Sequence, residues 1–312
     1  MNPPKRASRE VNKFRDHART VIEHHFGKAG RIKYLSGGHS NFVFSFSTRD
    51  GDLIIRISPD PASIHSFIKE QWVVAAVRKA GVPAPEILEV GTGEIQFPYM
   101  LSRANDGVEA TDHPKRNDIL VEMGRLAATV NSIPTKGFGK TFDWSDNKLS
   151  INKAFGEWLE KEYDLAGKLD VLEKHRMLTR QRVRKLKRIF SDAKSEKTRP
   201  RLNHSDLRLK NVIADENGKI NAIIDWEGSI SNIVPAWELS IALHDLGIDQ
   251  MQHFMNGYGL DPKKLSDLMP LVCAFNITNY AQAVQKIAAS GDKRLLENYR
   301  LRLGGGLDLY SI

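Results

Sequence analysis

The residues best suited to chemistry stand within one stretch, 202–227, which reads LNHSDLRLKNVIADENGKINAIIDWE. Asp206 precedes Asn211 by five positions, and Asp225 follows a strand, an Asn217-Gly218 turn and a second strand. A two-residue turn at Asn217-Gly218 pairs Glu216 with Lys219, which brings Asn211 opposite Ile224 and next to the level of Asp225. Strict pleating aims Asn211 and Asp225 at opposite faces, so both reach one metal only if the ladder ends or bulges just before them. Such a break is expected. An amide oxygen and a carboxylate at one edge, beside a further carboxylate, suit Mg²⁺, which takes a few hard oxygen ligands and leaves the rest to waters or phosphates.

The set His-x-Asp-x-x-x-x-Asn followed by Ile-Asp-Trp stands here as His204, Asp206, Asn211, Ile224, Asp225 and Trp226. It resembles the catalytic core of aminoglycoside phosphotransferases and choline kinases, relatives of the protein kinases. The resemblance implies that Asp206 is the base that accepts the proton of a substrate hydroxyl. It also implies that Asn211 and Asp225 hold Mg²⁺ against the phosphates of ATP. His204 is then a packed histidine supporting the loop. Arg208 stands where protein kinases have lysine; it either stabilises charge developing in the transition state or is a solvent-facing cation.

A kinase of this kind also needs a phosphate loop, a basic residue on the third strand and a helix carboxylate. The segment 35–41 supplies the loop: Gly37 and Gly38 let backbone N–H groups approach a phosphate, and Ser36 and Ser40 can donate hydrogen bonds. Arg56 lies where kinases typically place lysine. Arginine keeps the charge and can clamp phosphate oxygens bidentately, but it is longer and less point-like. Glu70 shares a helix face with Phe67, Val74 and Val77, and a carboxylate buried alone there costs several kcal/mol, so it needs a partner, for which Arg56 is expected. By the resemblance, adenine docks on backbone groups near Leu101 and Ser102. The run Pro235-Ala236-Trp237-Glu238-Leu239-Ser240 looks like the family's P-x-x-D-L-A helix start, with Glu in the Asp position, and reads as structural.

Elements must hold these residues in place. A helix is expected over 6–26, then strands over 32–36, 42–48, 53–58, 86–90 and 96–101, with Asp50-Gly51 as a hairpin turn. Asp60-Pro61 starts an inserted helix that Gly81 ends. From 118 the periodicity turns mostly helical, over 119–132, 152–164, 169–193 and 235–246, with two or more helices beyond 263 and one β interlude at 211–225. Glycines 304–306 are expected to break the last helix. Joined to the resemblance, this gives an α+β, two-lobed protein-kinase-like fold. Its small lobe has a five-stranded antiparallel sheet plus a helix, and its large, mostly helical lobe carries a short β-hairpin. The nucleotide-binding lobe is expected over 1–102 and the catalytic, substrate-binding lobe over 103–312.

The 312 residues are 41% apolar and 27% charged, which excludes wholesale disorder, collagen and coiled coil. The single Cys273 permits no internal disulfide and reads as an inert buried thiol. The longest uncharged apolar run, 72–77, is far short of the roughly 20 residues that cross a bilayer, and the charged start is no signal peptide, so a cytoplasmic enzyme is expected. Of the net charge of +8, the whole excess lies in 174–191, with eight basic residues and no acidic ones. That segment is either a solvated face or a patch for an acidic partner; the neutral remainder argues against nucleic acid. The expected partner is a small molecule bearing a hydroxyl, and the expected assembly a monomer or homodimer. A cationic acceptor calls for carboxylates or an aromatic cage. Trp144, Trp158, Trp226 and Trp237 offer rings, though such residues also serve as core. Two other readings are a nucleotide-binding protein that has lost turnover through Arg56, and a protein kinase, against which stands the lack of an Ala-Pro-Glu segment after Asp225.

Overall fold

Phe42, Phe44 and Phe46 recur at every second position, the period that sends side chains to one face of a strand. In the computed structural model, which describes residues 8–28, 30–36, 41–145, 149, 151–195 and 198–306, all three are buried. The chain forms two compact units. One takes in the described residues up to Pro114 together with Lys210–Glu227, the other Lys115–Leu209 and the residues from Gly228 on. The sequence placed its boundary after residue 102 and left the hairpin with the second part; the backbone packs the hairpin with the first.

The first unit opens with α1 (Ser8–Phe26), β1 (Lys33–Leu35), β2 (Phe42–Thr48), β3 (Gly51–Ile57), α2 (Ile64–Lys79), β4 (Ile87–Gly91), β5 (Tyr99–Arg103) and β6 (Val108–Glu109). The expected five-stranded antiparallel sheet is present, in the order β1-β2-β3-β5-β4. α1 lays Val11, Phe14, Ala18 and Val21 on it, and the Phe14 ring stacks on Phe42 at 3.8 Å between centroids. Asp60 caps as expected, its Oδ1 accepting from the Ala62 N–H at 3.0 Å, but the helix it caps is a 3₁₀ turn over Pro61–Ser63 that leads into α2.

In the second unit, α3 (Arg116–Ser132), α4 (Phe155–Lys161), α5 (Leu165–Lys174), α6 (Arg180–Ser195) and β7 (Arg201–Asn203) precede the hairpin of β8 (Val212–Ala214) and β9 (Ile220–Ile223). After it come β10 (Ile230–Asn232), α7 (Ala236–Ala242), α8 (Ile248–Tyr258), α9 (Pro262–Asn279), α10 (Ala281–Ser290) and α11 (Lys293–Gly306). Three expectations are corrected. The helix over 169–193 is two, broken where Arg176 takes a left-handed φ of 55°. α8 was not foreseen. α11 runs through Gly304 and Gly305 to Gly306, because glycine weakens a helix without forbidding it. Trp158, Tyr163, Trp237 and Phe275 pack ring to ring in the core, and Trp226 is fully buried. α6 buries Val183, Leu186, Phe190 and Ala193 and leaves Arg184, Lys185, Lys187 and Arg188 in water, so its basic run is a solvated helix face. No helix among the described residues is long and apolar enough to cross a membrane.

Candidate active site

The hairpin reaches its expected register by an unexpected route. Asp215, not Glu216, stands opposite Lys219, and its Oδ1 accepts from the N–H groups of Asn217 (2.9 Å) and Lys219 (3.0 Å), an Asx turn closed by Gly218 at φ 81°. Asn221 is then bulged, since Ala214 pairs with Ile220 but Ile213 with Ala222, and the bulge restores the offset. Ile224 N–H thus donates to Asn211 C=O at 2.9 Å, the alignment read from the sequence. The expected break in pleating is also present: the ladder stops at Val212 and Ile223, Asn211 belongs to a 3₁₀ turn, and Asp225 takes a left-handed φ of 66°, a conformation that Asp tolerates.

On the same unit, β3 and α2 bring Arg56 and Glu70 into the expected ion pair, both nearly buried, with the guanidinium 5.4 Å from the Phe67 ring centre. Burial works against the charge of Arg56, but Glu70, Glu227 and Asp225 together outweigh it and push its pKa further up. Its Nε is buried with no hydrogen-bond acceptor among the described residues. Glu227, which no motif in the sequence marks, also accepts from Asn41 Nδ2 at 3.4 Å. Ser36 is exposed at the end of β1; Gly37, Gly38 and Ser40 lie outside the described residues. Leu101 and Ser102 are inside β5, flanked by β3 and β4, so their peptide groups take part in the sheet, and the strand runs on to Arg103.

Asn211, Asp225 and Glu227 supply hard oxygen donors, and no cluster of three or more His, Cys, Asp or Glu among the described residues forms a metal cage. That donor set fits Mg²⁺, which binds through one or two carboxylates and completes its shell with phosphate oxygens and water.

The second unit holds Asp206 on a fastened loop. Ser205 takes a left-handed φ of 67° and its Oγ accepts from Trp237 Nε1 at 2.9 Å. Glu238, wholly buried, accepts from the N–H of His204 at 2.5 Å and of Ser205 at 3.3 Å. Burial pushes the Glu238 carboxyl up to about 7 although those N–H groups and Asn131 pull it down; Asp206 adds a smaller upward push. The Asp206 N–H in turn donates to Nδ1 of the buried His204 at 3.2 Å, the supporting role expected of that histidine. Arg208 is neither free in water nor idle: its Nε donates to Asp206 Oδ1 at 2.6 Å and its Nη1 to Asp245 Oδ2 at 3.0 Å. Burial lowers the Arg208 pKa, and the two carboxylates more than reverse it. Asp245 had no signal in the sequence, because nothing in its spacing announces a partner for Arg208.

This sheet-and-helix architecture is the protein-kinase-like α+β fold. The structure of a thermostable mutant of aminoglycoside phosphotransferase APH(4)-Ia matches it with a TM-score of 0.68 over 94% of this chain and 99% of that one, at 18% identity. Macrolide 2'-phosphotransferase type I matches with a TM-score of 0.62 over 96% and 98%, at 15% identity. Among curated proteins, hygromycin-B 4-O-kinase of Escherichia coli is 24% identical over 245 residues, which take in 72% of this chain and 64% of that protein. The model of the phosphotransferase enzyme family matches residues 31–268, and the chain belongs to that family.

Proposed function

We propose that the protein transfers the γ-phosphoryl group of ATP to a hydroxyl of a small molecule, with Mg²⁺ as the accompanying ion. The observation that carries this is the pair of ends joined by the hairpin: a loop pinned by Glu238 that presents Asp206, and five residues on, Asn211 aligned with Ile224 and followed across the ribbon by Asp225. Asp206 accepts the hydroxyl proton, with Arg208 hydrogen-bonded to its Oδ1. Asn211 and Asp225 hold Mg²⁺, and Glu227, two residues after Asp225, offers a further carboxylate. Bound there, the ion would neutralise charge on the phosphate oxygens. Arg56, oriented by Glu70, supplies positive charge to the phosphates, and the loop of Ser36, Gly37, Gly38 and Ser40 offers them its backbone N–H groups and hydroxyls. The base docks near Leu101 and Ser102. In this reading the first unit, with its hairpin, binds the nucleotide, the second is catalytic and substrate-binding, and the enzyme works in the cytoplasm.

The relatives' names point to hydroxyl-bearing antibiotics as the kind of acceptor to try first. The test is release of ADP from ATP, or of GDP from GTP, across aminoglycosides, hygromycin B, macrolides, choline, homoserine and sugars. Asp206→Asn serves as the blank, and its rate with any accepted substrate falls about 10²–10⁴-fold while nucleotide binding persists. Equal rates for that variant remove Asp206 from its role. A nucleotide-binding protein without turnover is the second reading, favoured by the ion pair that ties Arg208 to Asp206; it predicts nucleotide binding with no acceptor-dependent ADP release.

A further inference from the structure

Two neighbouring cavities in the second unit define what the acceptor must be. The first, about 190 Å³, is lined by Asp206 and Arg208 and by Ser240, His244, Asn276 and Tyr280. The second, also about 190 Å³, shares the last four of these and continues between Leu243, Met251, Met269, Val272, Ile277 and Leu303. The shared lining is a hydrogen-bonded group: Asn276 Nδ2 lies 2.9 Å from His244 Nδ1, and the Tyr280 hydroxyl 2.8 Å from His244 Nε2. A polar chamber at Asp206 therefore adjoins an apolar one.

The charges decide between ligand classes. Among the described residues that line either cavity, Asp206 is the one carboxylate, and Arg208 already pairs with it. Arg302 lines the second cavity, its guanidinium 5.4 Å from the Tyr280 ring centre. Burial holds the His244 pKa below its ordinary value, and Arg302 and Arg208 reinforce this against the opposing pull of Asp245 and Asn276; the net effect favours the neutral imidazole. No tryptophan lines either cavity, which leaves the rings at 144, 158, 226 and 237 unavailable as a cation cage. A polycation entering here would meet two arginines and a carboxylate already engaged.

We infer that the acceptor is a hydroxyl compound without positive charge and with an apolar body, its hydroxyl beside Asp206 and its apolar part in the Met251–Met269 cavity. This rests on the reading of Asp206 as the base. In the transfer, the acceptor oxygen forms its bond to the γ-phosphorus as the bond from that phosphorus to the bridging oxygen of ADP breaks, and the hydroxyl proton passes to Asp206.

The experiment is an NMR titration of the whole chain, with and without Mg·ADP, using vicinal diols from propylene glycol to octanediol and amino alcohols of matching length in which an ammonium replaces one hydroxyl. Diol affinity is expected to rise about fourfold per methylene until the cavity is full, and each ammonium compound to bind roughly tenfold more weakly than its diol. Met251→Trp, which fills the second cavity, should flatten the length dependence. A flat series in the wild type, no binding by any diol, or ammonium compounds binding as well as diols overturns the inference, and the wild-type series decides even if the variant does not fold. A length gradient without acceptor-dependent ADP release would leave the cavity assignment standing and remove the phosphotransfer reading instead.

Discussion

Glu238 and Glu70 are both buried carboxylates, yet their surroundings give them different consequences. Glu238 accepts two backbone N–H groups but faces no guanidinium, and its folded pKa of about 7 lies above the ordinary 4.5. The protonated form is therefore the better tolerated one in the fold. The stability that Glu238 contributes is complete below about pH 4.5 and is lost as pH rises through about 7. Relative to wild type, Glu238→Gln should show a flatter pH dependence across that window, by on the order of 3 kcal/mol, read from urea unfolding midpoints between pH 5 and 8. An unchanged slope would contradict the assignment. For Glu70 the partner is Arg56, and removing one member of a buried pair strands the other. Glu70→Ala is expected to cost about 3–5 kcal/mol in the same assay, well above an exposed pair such as Arg103 with Glu86.

Among the elements, α3 and α8 approach so closely that only glycine fits at the contact. A Cβ on Gly257 would stand 1.7 Å from Val121 C=O, and one on Gly124 2.0 Å from Phe254 C=O. This crossing positions more than a core. Tyr258 of α8 donates to Asn131 Oδ1 of α3 at 2.8 Å, and Asn131 Nδ2 donates to Leu202 C=O at 2.9 Å, just ahead of the Asp206 loop. Gly257→Ala must push the helices apart, which costs typically about 1–3 kcal/mol. The same variant should reduce phosphotransfer more than nucleotide affinity, since Asn211, Asp225 and Arg56 belong to the other unit. Equal thermal stability of variant and wild type would show that the helices have room to spare. None of this was legible in the sequence: 119–132 read as a helix, but a glycine within a helical pattern does not say which backbone comes near it.

For the molecule as a whole, ligand binding to the folded state is the most direct readout, because it raises stability by mass action. At a hundredfold excess over Kd the gain is about 2.7 kcal/mol. ATP with Mg²⁺ should raise the melting temperature by several degrees, and Asp225→Ala should abolish the part of the shift that depends on magnesium. A full magnesium-dependent shift in that variant would take the metal from Asp225.

The sequence by itself determined the order of α1, α2 and the five sheet strands of the first unit, the pairing of Arg56 with Glu70 and the alignment of Asn211 with Ile224, since each follows from short-range periodicity, turn chemistry or the cost of an unpaired buried charge. Only the tertiary structure decided that the hairpin packs with the first unit, that Arg208 holds Asp206 and Asp245 together, that α8 crosses α3 on glycines, and that an apolar cavity adjoins the base. Those outcomes depend on contacts between residues tens of positions apart, where many partners satisfy the same local pattern and packing alone selects one.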